Sequence, residues 1–238
     1  MAPQSRAYPI LLTRPAAQSA RFAMALQQRF VGVNILIAPL IEAAFLQPFV
    51  ARRDWAGVIF TSETGAMSAR RIATDGTALP ELAFCVGDQT ARMASDLGFR
   101  TVSAQGDGLA LAAMIKARGG AGPFLYLHGA HVRVDLGDIL NSAGIETVSA
   151  VSYDQTAQPL TPEAVQILQG EGPVITPVFS ARTGQLLAAE YGRVGAMAPL
   201  FALGISADVV GDLPTVQRLI AERPDAGAML LAMDHWLA

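Results

Sequence analysis

Small hydroxyl residues follow apolar runs throughout the chain: Thr13 after Ile10-Leu11-Leu12, Ser62 and Thr64 after Val58-Ile59-Phe60, Thr90 after Phe84-Cys85-Val86, Ser180 after Val178-Phe179, and Ser206 after Leu203-Gly204. Gly87 and Gly129 stand in the same kind of position. Where a strand turns into a helix, such residues either cap the helix or leave hydroxyls and backbone N–H groups free to hold an anion. Capping is the simpler role for any one of them. As a set, they can line a cleft that binds carboxylates without many lysines.

Other chemistries lack their residues. Gly106-Asp107-Gly108 opens a helical stretch, but Leu111 stands where a dinucleotide turn needs its third small residue, so an ordinary turn is expected. No lysine follows a phosphate-loop glycine spacing, and no Gly-x-Ser-x-Gly elbow exists. His128, His131 and Asp135 have the residue types of a metal site, yet His128 ends a strand and His131 starts the next segment, so their directions should diverge. No metal and no cofactor are expected. Cys85, the single cysteine, reads as a small core residue with no base beside it; it rules out an intramolecular disulfide and fits a reducing compartment. The scattered methionines read as packing residues, and Arg52-Arg53-Asp54 and Arg70-Arg71 as solvated faces.

In 238 residues, 52% hydrophobic and 16% charged, short apolar runs alternate with helical patterns, which predicts an α/β fold of parallel sheets flanked by helices. Expected strands are Ile10 to Thr13, Val33 to Ile37, Gly57 to Thr61, Ala83 to Val86, Thr101 to Ser103, Phe124 to Leu127, Glu146 to Val151, Val174 to Phe179, Leu200 to Leu203 and Arg218 to Ala221. Helices are expected over Ala17 to Phe30, Leu109 to Lys116 and Val132 to Ser142, the last with Gly144 at its C-terminal cap. The net charge of -3 offers no field for nucleic acid or an anionic membrane. No apolar run approaches a membrane span, and none near the N-terminus is long enough for a signal peptide. A cytoplasmic protein is expected.

Ile35 to Phe45 and Val148 to Gln158 are extended stretches that read as linkers. About ten strands interrupted twice fit two lobes better than one wide sheet, and two crossings make one lobe discontinuous. An internal repeat supports the pair: Phe60-Thr61-Ser62-Glu63-Thr64-Gly65 aligns with Phe179-Ser180-Ala181-Arg182-Thr183-Gly184, and Val86-Gly87-Asp88-Gln89-Thr90-Ala91 with Leu203-Gly204-Ile205-Ser206-Ala207, one residue shorter. The repeat predicts Ser62 and Ser180 on equivalent turns, facing each other across the cleft.

In order and spacing, Leu11-Leu12-Thr13-Arg14-Pro15, Ile59-Phe60-Thr61-Ser62, Val86-Gly87-Asp88-Gln89-Thr90-Ala91, Leu125-Tyr126-Leu127-His128-Gly129, Val151-Ser152-Tyr153 and Val178-Phe179-Ser180 resemble the uroporphyrinogen-III synthase family. The resemblance implies two similar α/β lobes, residues 1–37 with 156–238 and residues 43–150, joined by a two-stranded linker at 38–42 and 151–155. It implies cyclisation of hydroxymethylbilane, a linear tetrapyrrole with peripheral carboxylates, to uroporphyrinogen III, with loss of water and inversion of the terminal pyrrole ring and without a cofactor. It adds Arg14 to the carboxylate-binding set; Tyr153, in the linker, is either a donor to the departing hydroxyl or a tyrosine that packs between the lobes. A monomer is expected, with transient contact to hydroxymethylbilane synthase. Two positions depart from the family pattern: Ser206 replaces the usual threonine in a shortened segment, and His128 stands where an arginine is common. The alternative from another class is a non-catalytic two-lobed module that binds an anionic small molecule.

Overall fold

Residues Ile10–Leu12 form β1, and all three of its side chains are buried, as expected of a parallel strand with helices on both sheet faces. In this computed structural model, which describes residues 8–51, 53–74, 78–119, 122–132 and 134–237, successive side chains enter opposite layers. Ile10 and Leu12 pack with Phe22, Leu26, Met229 and Trp236, whereas Leu11 packs with Leu168, Val178 and Leu187. The chain continues through α1 (Ala16–Arg29), β2 (Ile35–Ile37), β3 (Ile41–Phe45), β4 (Gly57–Phe60), α2 (Glu63–Thr74), β5 (Leu82–Cys85), α3 (Asp88–Asp96), β6 (Arg100–Ser103) and α4 (Gly108–Arg118). After these come β7 (Phe124–Gly129), α5 (Leu136–Asn141), β8 (Thr147–Ala157), α6 (Pro162–Leu168), β9 (Val174–Val178), α7 (Ala181–Arg193), β10 (Leu200–Gly204), a 3-10 turn Ala207–Val210, β11 (Thr215–Ile220), α8 (Ala226–Ala232) and α9 (Asp234–Leu237).

The chain divides into two units, one running to Glu42 and resuming at Thr156, the other Ala43–Gln155. The first is built on a five-stranded sheet in the order β11-β10-β9-β1-β2. Its registered pairs are all parallel. Helix α1 buries Ser19, Phe22, Ala23 and Leu26 against it, the three-and-four spacing of one helical face. Emptying the space of Leu26, which is fully buried, would cost about 2–5 kcal/mol.

The second unit is built on a six-stranded sheet, β3-β8-β7-β4-β5-β6. Pairs among β8, β7, β4, β5 and β6 are parallel. Val58 and Phe60 pack with Ala66, Ala69 and Ile72 on one face, and Ile59 with Leu111, Tyr126 and Leu136 on the other. Apart from β3, which has no counterpart, strand order is the same in both sheets: β9, β10 and β11 step outward as β4, β5 and β6 do, with β1 and β2 on the other side as β7 and β8 are.

The two stretches read as linkers are extended and pair with each other: the Leu46 amide donates to the Ser152 carbonyl and the Gln158 amide to the Leu40 carbonyl, so β3 and β8 run antiparallel. Several element bounds change. Residues 151–155 lie inside β8. Helix α5 starts at Leu136 rather than Val132, because the Asp135 side chain accepts from the Asp138 amide and sets the cap there. Strand β2 begins at Ile35, and β11 at Thr215. The repeat's register also shifts by one. Ser62 accepts from the amide of Gly65 and Ser180 from that of Thr183, so these caps correspond, whereas the aligned fragments set Ser180 against Thr61.

Candidate active site

Strand β4 ends at Phe60, and the turn Thr61-Ser62 leads into α2. Ser62 Oγ accepts the Gly65 amide at 2.9 Å, a helix cap. The same oxygen lies 2.8 Å from the hydroxyl of Tyr153. Two hydroxyls carry two protons, and one is used in their mutual bond. Since Ser62 already accepts from a backbone amide, the pair retains one O–H able to donate elsewhere.

A strand irregularity aims Tyr153. Along β7 and β8 the register runs His128 with Val151 and then Gly129 with Tyr153, so Ser152 is the extra residue of a bulge. Alternation breaks there, and Ser152 and Tyr153 are buried in succession, as bulges that re-aim a side chain allow. Ser152 Oγ is held 2.7 Å from Ser68 Oγ. The Tyr153 ring lies against Gly129, where a Cβ would come within 2.7 Å of it. Burial pushes the Tyr153 phenol up from its ordinary value, while bonds from Ser62 and the Gly129 backbone pull it down less strongly. The group is a neutral donor at pH 7.

Tyr153, Ser62, Gly129, Thr61 and Tyr126 line one cavity of about 430 Å³ within the second unit, closed on another side by the turn Asp107-Gly108-Leu109 and by His131. Three predicted site residues, Ser62, Gly129 and Tyr153, therefore meet. Thr64, in the first turn of α2, Gly87, the extended cap position of α3, and Thr90, buried in the first turn of α3, do not line this cavity. In the first unit, Thr13, Ser180 and Ser206 follow β1, β9 and β10, three neighbouring strands, at their C-terminal ends. Thr13 is buried, and its hydroxyl oxygen has no hydrogen-bond partner among the described residues. The Arg14 guanidinium stacks 3.9 Å over the Phe179 ring. Ser180 caps α7, and Ser206 donates to the Asp208 carboxylate.

A family model described as uroporphyrinogen-III synthase HemD matches residues 21–230. The chain belongs to the uroporphyrinogen-III synthase family. Its fold is similar to that of the uroporphyrinogen-III synthetase from Helicobacter pylori, at 18% identity over 96% of this chain and 99% of that one, with a TM-score of 0.63. It is also similar to a mutant uroporphyrinogen III synthase from Thermus thermophilus, at 13% identity over 97% and 99%, with a TM-score of 0.51. No curated protein matches it in sequence. Family membership gives the activity: hydroxymethylbilane is cyclised to uroporphyrinogen III in porphyrin and haem biosynthesis. Among the described residues, no helix is long and apolar enough to cross a membrane.

For a uroporphyrinogen-III synthase, the remaining titratable groups near this cavity have local duties. His128 Nδ1 lies 2.8 Å from the Gly129 carbonyl oxygen, and its ring packs on Tyr126. His131 Nε2 is 3.8 Å from Asp154, and Asp135 caps α5. Among the described residues, no three His, Cys, Asp or Glu side chains are grouped to hold a metal ion. Cys85 is fully buried, and burial pushes its thiol up to about 12. Sequence reasoning missed Thr61, Tyr126 and the Asp107-Gly108-Leu109 wall. Thr61 stood in plain view beside Ser62, and Tyr126 read as one more apolar strand residue.

Proposed function

We propose that Tyr153 is the proton donor to the departing hydroxyl of hydroxymethylbilane and that Ser62 orients it. The observation that carries this reading is the 2.8 Å hydroxyl pair with one uncommitted proton on a cavity wall. As the carbon–oxygen bond breaks, the oxygen takes the bonding pair and the phenol proton and leaves as water. The pyrrole nitrogen supplies electrons to the exposed carbon, forming an azafulvenium paired in charge with the phenolate. Proton loss from the pyrroles as the ring closes restores the phenol. Uncatalysed closure joins the wrong carbon and gives the type I isomer, so the protein must fix geometry; alignment supplies part of the ~7–11 kcal/mol available to well-oriented intramolecular reactions.

The grip on the substrate's carboxylates is distributed. Thr13, Arg14, Thr64, Gly87, Thr90, Gly129, Ser180 and Ser206 are assigned to it through hydroxyls, a guanidinium and backbone N–H groups, with Ser62 adding only its backbone N–H because its hydroxyl proton serves Tyr153. Support comes from their placement at the ends of parallel strands, where helix N-termini favour anions. The same reading gives a monomer in the cytoplasm that meets hydroxymethylbilane synthase transiently, without nucleic acid or membrane; the net charge of -3 supports the last part.

Tyr153→Phe tests the catalytic assignment, since it keeps the ring and removes only the donor. Steady-state kinetics should show kcat down ~10²-fold or more with KM little changed. Turnover within about twofold of the unmodified protein, less than one neutral hydrogen bond commonly contributes, would remove Tyr153 from the chemistry and leave orientation as the mechanism.

A further inference from the structure

The turn after β4 carries two consecutive hydroxyls, and each sits against a phenol from a neighbouring strand. Ser62 meets Tyr153; Thr61 Oγ1 lies 3.3 Å from the hydroxyl of Tyr126. Both phenols border the cavity, and Tyr126 is the more enclosed of the two. Tyr126 is 1% exposed, and burial pushes its phenol up, with the Thr61 bond pulling it back less strongly. A phenol proton enclosed in this way must find an acceptor, because a buried donor left unmatched costs more than the bond itself contributes. Either hydroxyl can donate across the 3.3 Å contact; with the phenol donating, Thr61 Oγ1 is the acceptor. Thr61 is only half-buried and borders the cavity, so its own proton can turn toward open space.

We propose that Thr61 is a further substrate-binding residue, donating to a carboxylate on the pyrrole ring that bears the leaving hydroxyl, and that Tyr126 is the positioning residue that fixes its proton. The inference rests on the reading that this cavity takes the reacting end of the substrate. Thr61 and Ser62 follow the same strand, and Thr61 and the Ser62–Tyr153 pair border the same cavity, so both can reach one ring of a substrate held there. One anchors the carboxylate and the other meets the hydroxyl. Anchoring the ring in this way holds its single hydroxymethyl carbon–oxygen bond beside Tyr153. Tyr126→Phe leaves the ring and its packing on His128 but frees the Thr61 acceptor, after which the threonine proton has no fixed direction.

Four variants test this with freshly made hydroxymethylbilane: Tyr126→Phe, Thr61→Val, Thr61→Ser and the double variant Tyr126→Phe with Thr61→Val. KM should rise about 2- to 10-fold in Tyr126→Phe, the range for one neutral hydrogen bond, with kcat for the type III product nearly unchanged. Thr61→Val should lose at least as much, Thr61→Ser should keep the original KM, and the double variant should match Thr61→Val alone. An unchanged KM in Tyr126→Phe overturns the proposal, as does a double variant whose losses multiply, or a lowered melting temperature without a KM effect. Tyr153→Phe, run alongside, reads kcat: a normal kcat there overturns the catalytic reading and not this one, which is read on KM.

Discussion

A Cβ placed on Gly129 would lie 2.7 Å from two carbons of the Tyr153 ring and 3.0 Å from its hydroxyl. The absence of a side chain at Gly129 is thus what lets the phenol reach Ser62. Gly129→Ala should push the ring aside and break the 2.8 Å hydroxyl pair. Expected is a kcat loss approaching that of Tyr153→Phe, ~10²-fold, in a protein that still folds. Kinetics beside a circular-dichroism melt would check it, and full activity in Gly129→Ala would show that the pair is dispensable.

The pH profile follows from burial. Because Tyr153 is raised above its ordinary 10.0, the phenol stays protonated across the neutral range, and the donor disappears only as pH rises beyond that value. The sign for stability is the same: the unfolded phenol ionises first, so the contribution is present below the ordinary value and lost as pH rises through the folded one. Rate against pH should show no alkaline loss attributable to Tyr153 below about pH 10. A limb near pH 8 that vanishes in Tyr153→Phe would contradict this.

The fold was legible where strands are buried on both faces. Ile10-Leu11-Leu12 and Val58-Ile59-Phe60 are continuous apolar runs, and β1 and β4 occupy them. Strand β3 was not legible as a sheet member: Ile41-Glu42-Ala43-Ala44-Phe45 has modest strand propensity, and its pairing to β8 depends on residues more than a hundred positions away. The bulge at Ser152 has no sequence signature, so Tyr153 could be singled out only by resemblance, and its partner Ser62 only as one of a set of capping or cleft-lining hydroxyls. Thr61 and Tyr126 were hidden for a different reason, since a tyrosine in an apolar strand looks like core until its hydroxyl has a partner.

Cys85 should be chemically silent. With its thiol fully buried and pushed up to about 12, the native protein should resist alkylation by iodoacetamide at mildly alkaline pH, because the thiolate is the reactive form. Cys85→Ala should still form the type III isomer. Activity should also survive exhaustive dialysis against a chelator. Strict metal dependence, or inactivation that tracks labelling of Cys85, would count against the chemistry assigned to Tyr153.

A distributed grip predicts shallow losses. Thr90→Ala, Ser180→Ala and Ser206→Ala should each raise KM mildly, within the ~0.5–1.5 kcal/mol of a neutral hydrogen bond. Ser180→Ala should also lower the melting temperature, because it removes the cap of α7, a contact worth ~1 kcal/mol. A complete loss of turnover from any one of them would mean that the grip is concentrated there.

The isomer formed separates enzymatic from spontaneous ring closure. Hydroxymethylbilane, generated fresh and given to the purified protein, is allowed to react; the products are oxidised, and the type I and type III isomers are separated. Type III is expected as the main product of the unmodified protein, with a rise in type I for Tyr153→Phe, as spontaneous closure overtakes the slowed enzyme. Type I alone from the unmodified protein, formed at the uncatalysed rate, would contradict that expectation.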